Sequence, residues 1–513
     1  GLSETSPWKT IDFALSAIMP DANDTLFIFP GNYEINHSLY VFPGISLIGR
    51  GEDPSETTIL CNGENIGIAF DLQNDNYGKG LKNDHFIFGN QVLKNFTILG
   101  NKTAGIGIVA IGRNNVTFSN LIIKDFTQGG IQLSAFKEYF VNNYEGRKIS
   151  GCEIAHCILE ENGSLEPTGN YSYFSNISIG GWKGGSVHHC TIIDTIADMD
   201  GSGMGIMGAE RTKIHDNKIM INVFEQNHWG GIFSVVTGYS AGLEFFNNEV
   251  NSGISCENRV AFENMVIPGV PDIMIFNNRF IGTHPNSVGI QAIELYNDNA
   301  EIYNNYFENF FHCITSWHGN DTVTNIEIHH NIFRGADKGY AIHLTMGGSS
   351  YDDPANHSVY RNFNIYNNIF DNYRYAIYNP HGKTDNFNIT NNVFFNLSGG
   401  VWQHTSEEDC NNVHFETNLV YNHTQLQNDN SATFNNTFTD IDPGFKLQGE
   451  RPAIWYQAST DTSGIIDKGQ EQGEYTIGFA GSAPDLGAYE YNGTTPARLI
   501  APQFDLPQVK YFG

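Results

Sequence analysis

Asn278-Arg279-Phe280, Asn305-Tyr306-Phe307, Asn331-Ile332-Phe333, Asn368-Ile369-Phe370 and Asn392-Val393-Phe394 repeat one frame along the chain. The frame extends outward to Asn217-Lys218-Ile219, Asn248-Glu249-Val250 and Asn418-Leu419-Val420. The steps between these asparagines are 31, 30, 27, 26, 37, 24 and 26 residues. A recurring frame at this period marks a repeat architecture. One repeat is too short to bury a core alone, so the units must stack. The frame is rich in Ile, Val, Phe and Tyr with Asn at a bend, which points to coils of short strands rather than helix pairs. Cys157, Cys190 and Asn120 extend the frame toward the N-terminus. Stacked Asn side chains can hydrogen-bond from coil to coil, and Cys fits the same small buried slot.

The chain has 513 residues, but repeat proteins lengthen by adding coils, so length does not count domains here. Charged residues are few, at 16%, and 54 glycines together with the asparagines suit left-handed turn positions between strands. The net charge of −29 argues against nucleic acid or an anionic membrane as partner, and it disfavours polyanionic substrates unless a local basic patch exists. No apolar run is long enough to span a membrane. No signal peptide is visible, and Gly1 fits a processed or trimmed start. Seven cysteines are an odd count, so at least one is free or pairs between molecules. Cys152–Cys157 or Cys157–Cys190 could be bridged, and no Cys/His set has the spacing of a structural zinc site.

Trp8 to Ala17 has apolar spacing suited to a short amphipathic helix, a cap over the first strand edge. The stretches Thr25-Leu26-Phe27-Ile28-Phe29-Pro30-Gly31-Asn32-Tyr33 and Ile45-Ser46-Leu47-Ile48-Gly49-Arg50-Gly51 follow. Near the other end stand Asp440-Ile441-Asp442-Pro443-Gly444-Phe445, Ile465-Ile466-Asp467-Lys468-Gly469 and Pro484-Asp485-Leu486-Gly487-Ala488-Tyr489-Glu490-Tyr491. With these motifs the chain resembles secreted bacterial right-handed parallel β-helix proteins of the pectin-lyase-like superfamily, which are carbohydrate-active enzymes and adhesins. The resemblance implies an all-β solenoid and a secreted, extracellular or periplasmic location. It leaves the activity open, because one fold hosts many chemistries. The motifs of alginate and pectate lyases are absent, as is the paired-aspartate motif of polygalacturonases. The expected organisation is a solenoid of about eleven to thirteen coils capped at both ends, with a cap and first coil over 1–60, the β-helix body over 61–439 and a C-terminal capping segment over 440–513.

A second strand precedes each ladder strand, with a small residue and then an apolar one. Examples are Gly107-Ile108, Gly205-Ile206, Gly231-Ile232, Ala261-Phe262, Ala292-Ile293, Cys313-Ile314, Ala341-Ile342, Ala376-Ile377 and Gly400-Val401. If the apolar residue faces inward, the next faces out. The outward column then includes Met207, Phe233, Glu263, Glu294, Thr315, His343, Tyr378 and Trp402. Two positions on lie Trp317 and His404, with His318 and His381 beside them. Long insertions near 135–150, 264–271 and 346–358 would wall this stripe into a cleft.

Glu263 and Glu294 occupy this column on consecutive coils, where strands lie ~4.8 Å apart. Two carboxylates so close repel, and one keeps its proton to higher pH. That is what a glycosidase needs: one acid for the leaving oxygen and one carboxylate as nucleophile or base. The alternative is a pair of solvated glutamates that could bind a cation. His343 is the best candidate for an acid–base helper. Arg259 could hold a substrate acid group or pair with Glu257 or Glu263. Trp317, His318, Tyr378, His381, Trp402 and His404 supply rings and donors for sugars. Asp198 and Asp200 read as a turn or a calcium site, and Asp352-Asp353 as a calcium site or a solvated lid. His329 and His330 read as structural. The expected activity is hydrolysis of a polysaccharide without a required cofactor, with calcium allowed. The rival readings are a β-eliminating polysaccharide lyase using Arg259, His343 and Tyr378, and a glycan-binding β-helix without catalysis.

Overall fold

The computed structural model describes residues 3–19, 23–63, 66–72, 87–135, 148–163, 175–195, 203–221, 232–252, 259–264, 272–282, 290–296, 298–316, 322–335, 337–344, 358–404, 409–427, 430–448 and 455–491; the side chains of 87, 88, 232, 233, 259, 260, 263, 264, 290 and 474 are not described. Among these residues the body is built from parallel strands, and each coil adds one strand to each of three faces. One face is a continuous sheet of 13 strands, which meets the upper end of the expected number of coils. The other two faces form one larger sheet that folds around a corner. The fold is the right-handed parallel β-helix that the terminal motifs imply.

The corner explains the repeating frame. In each coil a residue in the left-handed region precedes the ladder residue, as at Asn247, Asn277, Asn304, Asn367 and Asn391, with φ between 52° and 57°. Asparagine tolerates this region better than other side chains, because its amide can bond locally. The ladder asparagine follows, fully buried. Asn248 Nδ2 donates to Asn278 Oδ1 at 3.1 Å, and the Asn248 backbone N–H donates to the same oxygen at 2.9 Å. The same pair of bonds recurs from Asn217 through to Asn418. Cys157 and Cys190 occupy this slot as expected, but Asn120 does not. It takes the left-handed position, at φ 51°, and Leu121 fills the slot. The six described cysteines are free thiols, so neither bridge considered above forms.

Inward residues stack in columns. Phe280, Phe307, Phe333, Phe370 and Phe394 lie ring on ring at 4.8 to 5.1 Å, the spacing of neighbouring strands. The N-terminal helix is short, Ile11–Ser16, capped by the Thr10 side chain. The described part of the C-terminal segment, to Tyr491, packs along the flank. Phe445, Tyr456, Leu486 and Ala488 pack on Tyr306, Ile332, Ile369, Val393 and Leu419, which face outward from successive coils. Hydrogen bonds fasten it, among them Tyr456 Oη to Asp371 Oδ2 at 2.5 Å, Gly487 N–H to the Asn391 carbonyl at 2.8 Å, and Gln470 N–H to Asn391 Oδ1 at 2.9 Å.

Candidate active site

The 13-stranded sheet carries the site. Its strands Arg259–Asn264, Ile290–Glu294, His312–Thr315, Tyr340–His343, Tyr375–Asn379 and Gly400–His404 lie side by side. Each contains two successive core residues: Ala261-Phe262, Ala292-Ile293, Cys313-Ile314, Ala341-Ile342, Ala376-Ile377 and Val401-Trp402. Strict alternation would turn one of each pair outward, so the strand bends there. The bend brings outward residues on its two sides together. Gln291, His312, Tyr340 and Tyr375 precede it; Glu294, Thr315, His343 and Tyr378 follow it.

The contacts across the bend are direct. The Thr315 hydroxyl donates to Gln291 Oε1. The His312 and His343 rings lie 4.7 Å apart, Tyr340 and Tyr378 stack at 4.2 Å, and His343 lies 4.9 Å from each of those tyrosines. Burial keeps both histidines neutral: His312 falls to about 3, and His343 lies well below the usual imidazole range, helped by the neighbouring His312 and His381. Their Nδ1 atoms are buried and have no hydrogen-bond partner among the described residues.

Glu294 stands at the end of this aromatic row with 6% of its surface exposed. Burial pushes its carboxyl up to about 7, and the hydroxyl of Tyr296, which donates to Oε1, pulls the other way. Glu263 is its register partner on the adjacent strand, as is Arg259 for Ile290. Both lie in a described strand, with side chains outside the description. Trp317, His318, Asp198, Asp200, Asp352 and Asp353 lie outside the described residues, as does most of each of the three long insertions.

Two expected binding residues face the wrong way. Trp402 pairs with Ile377 and His404 with Asn379. Trp402 is fully buried in the core with its indole N–H on Ser431 Oγ at 2.8 Å. His404 is 3% exposed and its Nε2–H donates to the Gly382 carbonyl at 2.7 Å, bracing a turn. The register is one residue off the sequence alignment, because Val401-Trp402 rather than Gly400-Val401 is the bend pair; Gln403 takes the outward place beside Tyr378. Gly205 and Val236 likewise stand in the outward column where Met207 and Phe233 were expected. His343, Tyr378 and His381 remain together at the cleft. Gln291, Tyr296, His312, Tyr340 and Tyr375 join them unforeseen. Four of these precede the bend in every coil, a column legible once the paired core residues are aligned.

No family model matches the chain, and no curated protein matches it. Among solved structures it is similar to a tailspike protein mutant of E. coli bacteriophage HK620, at 11% identity over 83% of this chain and 76% of that one, with a TM-score of 0.49. It is also similar to the A-module of the mannuronan C-5 epimerase AlgE6 of Azotobacter vinelandii, at 10% identity over 83% and 93%, with a TM-score of 0.37. The catalytic unit of the GH87 α-1,3-glucanase from Streptomyces thermodiastaticus gives 10% identity over 84% and 64%, with a TM-score of 0.35.

Proposed function

We propose that the chain is an extracellular glycoside hydrolase that cuts a polysaccharide lying along the Glu263–Tyr378 face, with Glu294 as the general acid. The observation that carries this reading is the Glu294 carboxyl, buried beside a row of aromatic rings and held up to about 7. Such a group keeps its proton near neutrality and can deliver it to a leaving glycosidic oxygen. Glu263, one strand away, is the residue proposed as nucleophile or base. Tyr378, half-buried at the edge of the stacked rings, offers a ring to the apolar side of a sugar, and His343 stands beside it.

A lyase reading is favoured by one observation. His343 is held neutral 4.9 Å from Tyr378, ring to ring, a pairing suited to taking a proton beside a uronate and returning one to the leaving oxygen. One experiment separates the two. Neutral, uronic and sulfated polysaccharides are digested with the wild-type chain and with Glu294→Gln, reading reducing ends and near-ultraviolet absorbance on the same samples. New reducing ends without absorbance, reduced about 10²- to 10⁴-fold by the substitution, support the hydrolase. Absorbance that rises with reducing ends and survives Glu294→Gln turns the assignment to the lyase. Binding without either product leaves a glycan-binding module.

A further inference from the structure

On the opposite flank, at the corner between the other two faces, three histidines converge. His156 and His189 take the left-handed corner position in two successive coils, at φ 55° and 54°. His188 is the last residue of the strand entering the second of these corners. One ring nitrogen from each lies within 4.8 Å of the others. His156 and His189 are exposed and His188 is half-buried, so the group is open to solvent.

The finer geometry suits a cation. His188 Nδ1 and His189 Nδ1 face each other at 2.8 Å. Glu153 Oε1 accepts from His188 Nε2 at 3.1 Å, which fixes the proton on Nε2 and leaves Nδ1 unprotonated, the acceptor for His189 Nδ1–H and the lone pair that an ion displacing that proton would take. A carboxylate behind a ligating imidazole is the usual support for a metal-bound histidine. The back of the His188 ring is held as well. His215 stacks on it at 5.0 Å and 9°, and His215 is itself tied to Asp216 at 2.6 Å. Tetrahedral ligation at 2.0–2.1 Å puts nitrogens about 3.4 Å apart, so the two facing Nδ1 atoms need only a small separation to admit an ion.

The molecule contains its own comparison. His329 and His330 repeat the pair, Nδ1 to Nδ1 at 3.0 Å with Glu301 on Nε2 at 3.1 Å. There the residue corresponding to His156 is Asn304, and Tyr475 packs on the His329 ring at 4.8 Å. That pair lacks a third imidazole and lies under the C-terminal segment. The triad stands where the asparagine ladder gives way to Cys157 and Cys190, whose thiols, weak hydrogen-bonding groups, bond to each other and to carbonyl oxygens at 3.3 to 3.8 Å. Coil-to-coil bonding through the slot is therefore weakest at these rungs.

We propose that His156, His188 and His189 form a site for a divalent metal ion of the zinc class, which ties these two coils together where the amide ladder is missing. Three imidazoles from two coils supply the protein ligands, and a fourth position is left to water. The test is titration of the metal-stripped full chain with zinc(II) by calorimetry, with thermal unfolding followed in parallel. The expected result is one equivalent bound at micromolar or tighter affinity, with a higher Tm. His156→Asn and His189→Asn place at these corners the residue that the other coils already carry there, so both should keep the wild-type circular dichroism. Each should weaken zinc binding by on the order of a hundredfold and remove the rise in Tm. Glu153→Gln should weaken it about 10- to 100-fold. Binding only at millimolar zinc, or tight binding unchanged in both corner variants, overturns the proposal.

Discussion

Glu294 concentrates what one residue contributes to the proposed chemistry. Its carboxyl is raised to about 7, so the folded state holds the proton more tightly than the unfolded state, where it leaves near 4.5. Stability from this group is therefore complete below about pH 4.5 and is lost as pH rises through about 7. Glu294→Gln should flatten that part of the stability–pH curve, measured by denaturant midpoints across the range. If the protonated carboxyl is the acid, the rate should fall on the alkaline side with an apparent pKa of about 7. Tyr296 bonds the charged form, so Tyr296→Phe should move that limb to higher pH. A limb that stays put in this variant would detach Tyr296 from the titration.

At the scale of the element, the ladder and the bend have different legibility. The asparagine frame is readable because one polar residue must recur at one buried corner, and few side chains satisfy that corner. Asn278→Ala removes the acceptor for Asn248 and the donor to Asn305 and to the Phe245 carbonyl. It should cost about 3 kcal/mol or more, seen as a lower Tm, since several buried groups lose partners together. The bend is harder to read. Its pair is two successive core residues, and any small-then-large dipeptide imitates it, as Gly400-Val401 imitates Val401-Trp402. A one-residue slip exchanges inside for outside, which is how Trp402 and His404 came to be expected in the cleft. Trp402→Ala should behave as a core deletion, costing about 3–5 kcal/mol; a variant of unchanged stability with weakened polysaccharide binding would restore Trp402 to the cleft. The residues before the bend, His312 and Tyr340 among them, follow no alternation rule and emerge only from the contacts across it.

For the whole molecule, charge and the C-terminal segment set the terms. A net charge of −29 repels anionic polymers at long range, and salt screens that repulsion. Cleavage of a uronic or sulfated polymer should speed up as salt is raised from low levels, while cleavage of a neutral one should hardly respond; rates for both at matched salt series measure this. The segment along the flank covers apolar residues of several successive coils, so it links coils that otherwise touch only their neighbours. The end motifs around Pro443 and Asp485 were legible as sequence, but their docking was not, because the flank they cover looks like any exposed strand face until the coils are stacked. Tyr456→Phe removes the bond to buried Asp371 and should loosen this segment by about 1–2 kcal/mol, read as faster proteolytic nicking after residue 440.

The ladder also has a direction. Each ladder oxygen faces the N-terminal coil, and from Asn217 to Asn392 one N–H of the amide donates to the next asparagine toward the C-terminus while the amide also donates back to a carbonyl of the preceding coil; the row ends at Asn217, whose oxygen accepts from the Cys190 backbone at 3.0 Å. Aligned dipoles add. The column thus resembles a small electret threaded through the β-helix, with its negative pole at the Cys190 corner, next to His189, where a bound cation would feel the field of the whole row.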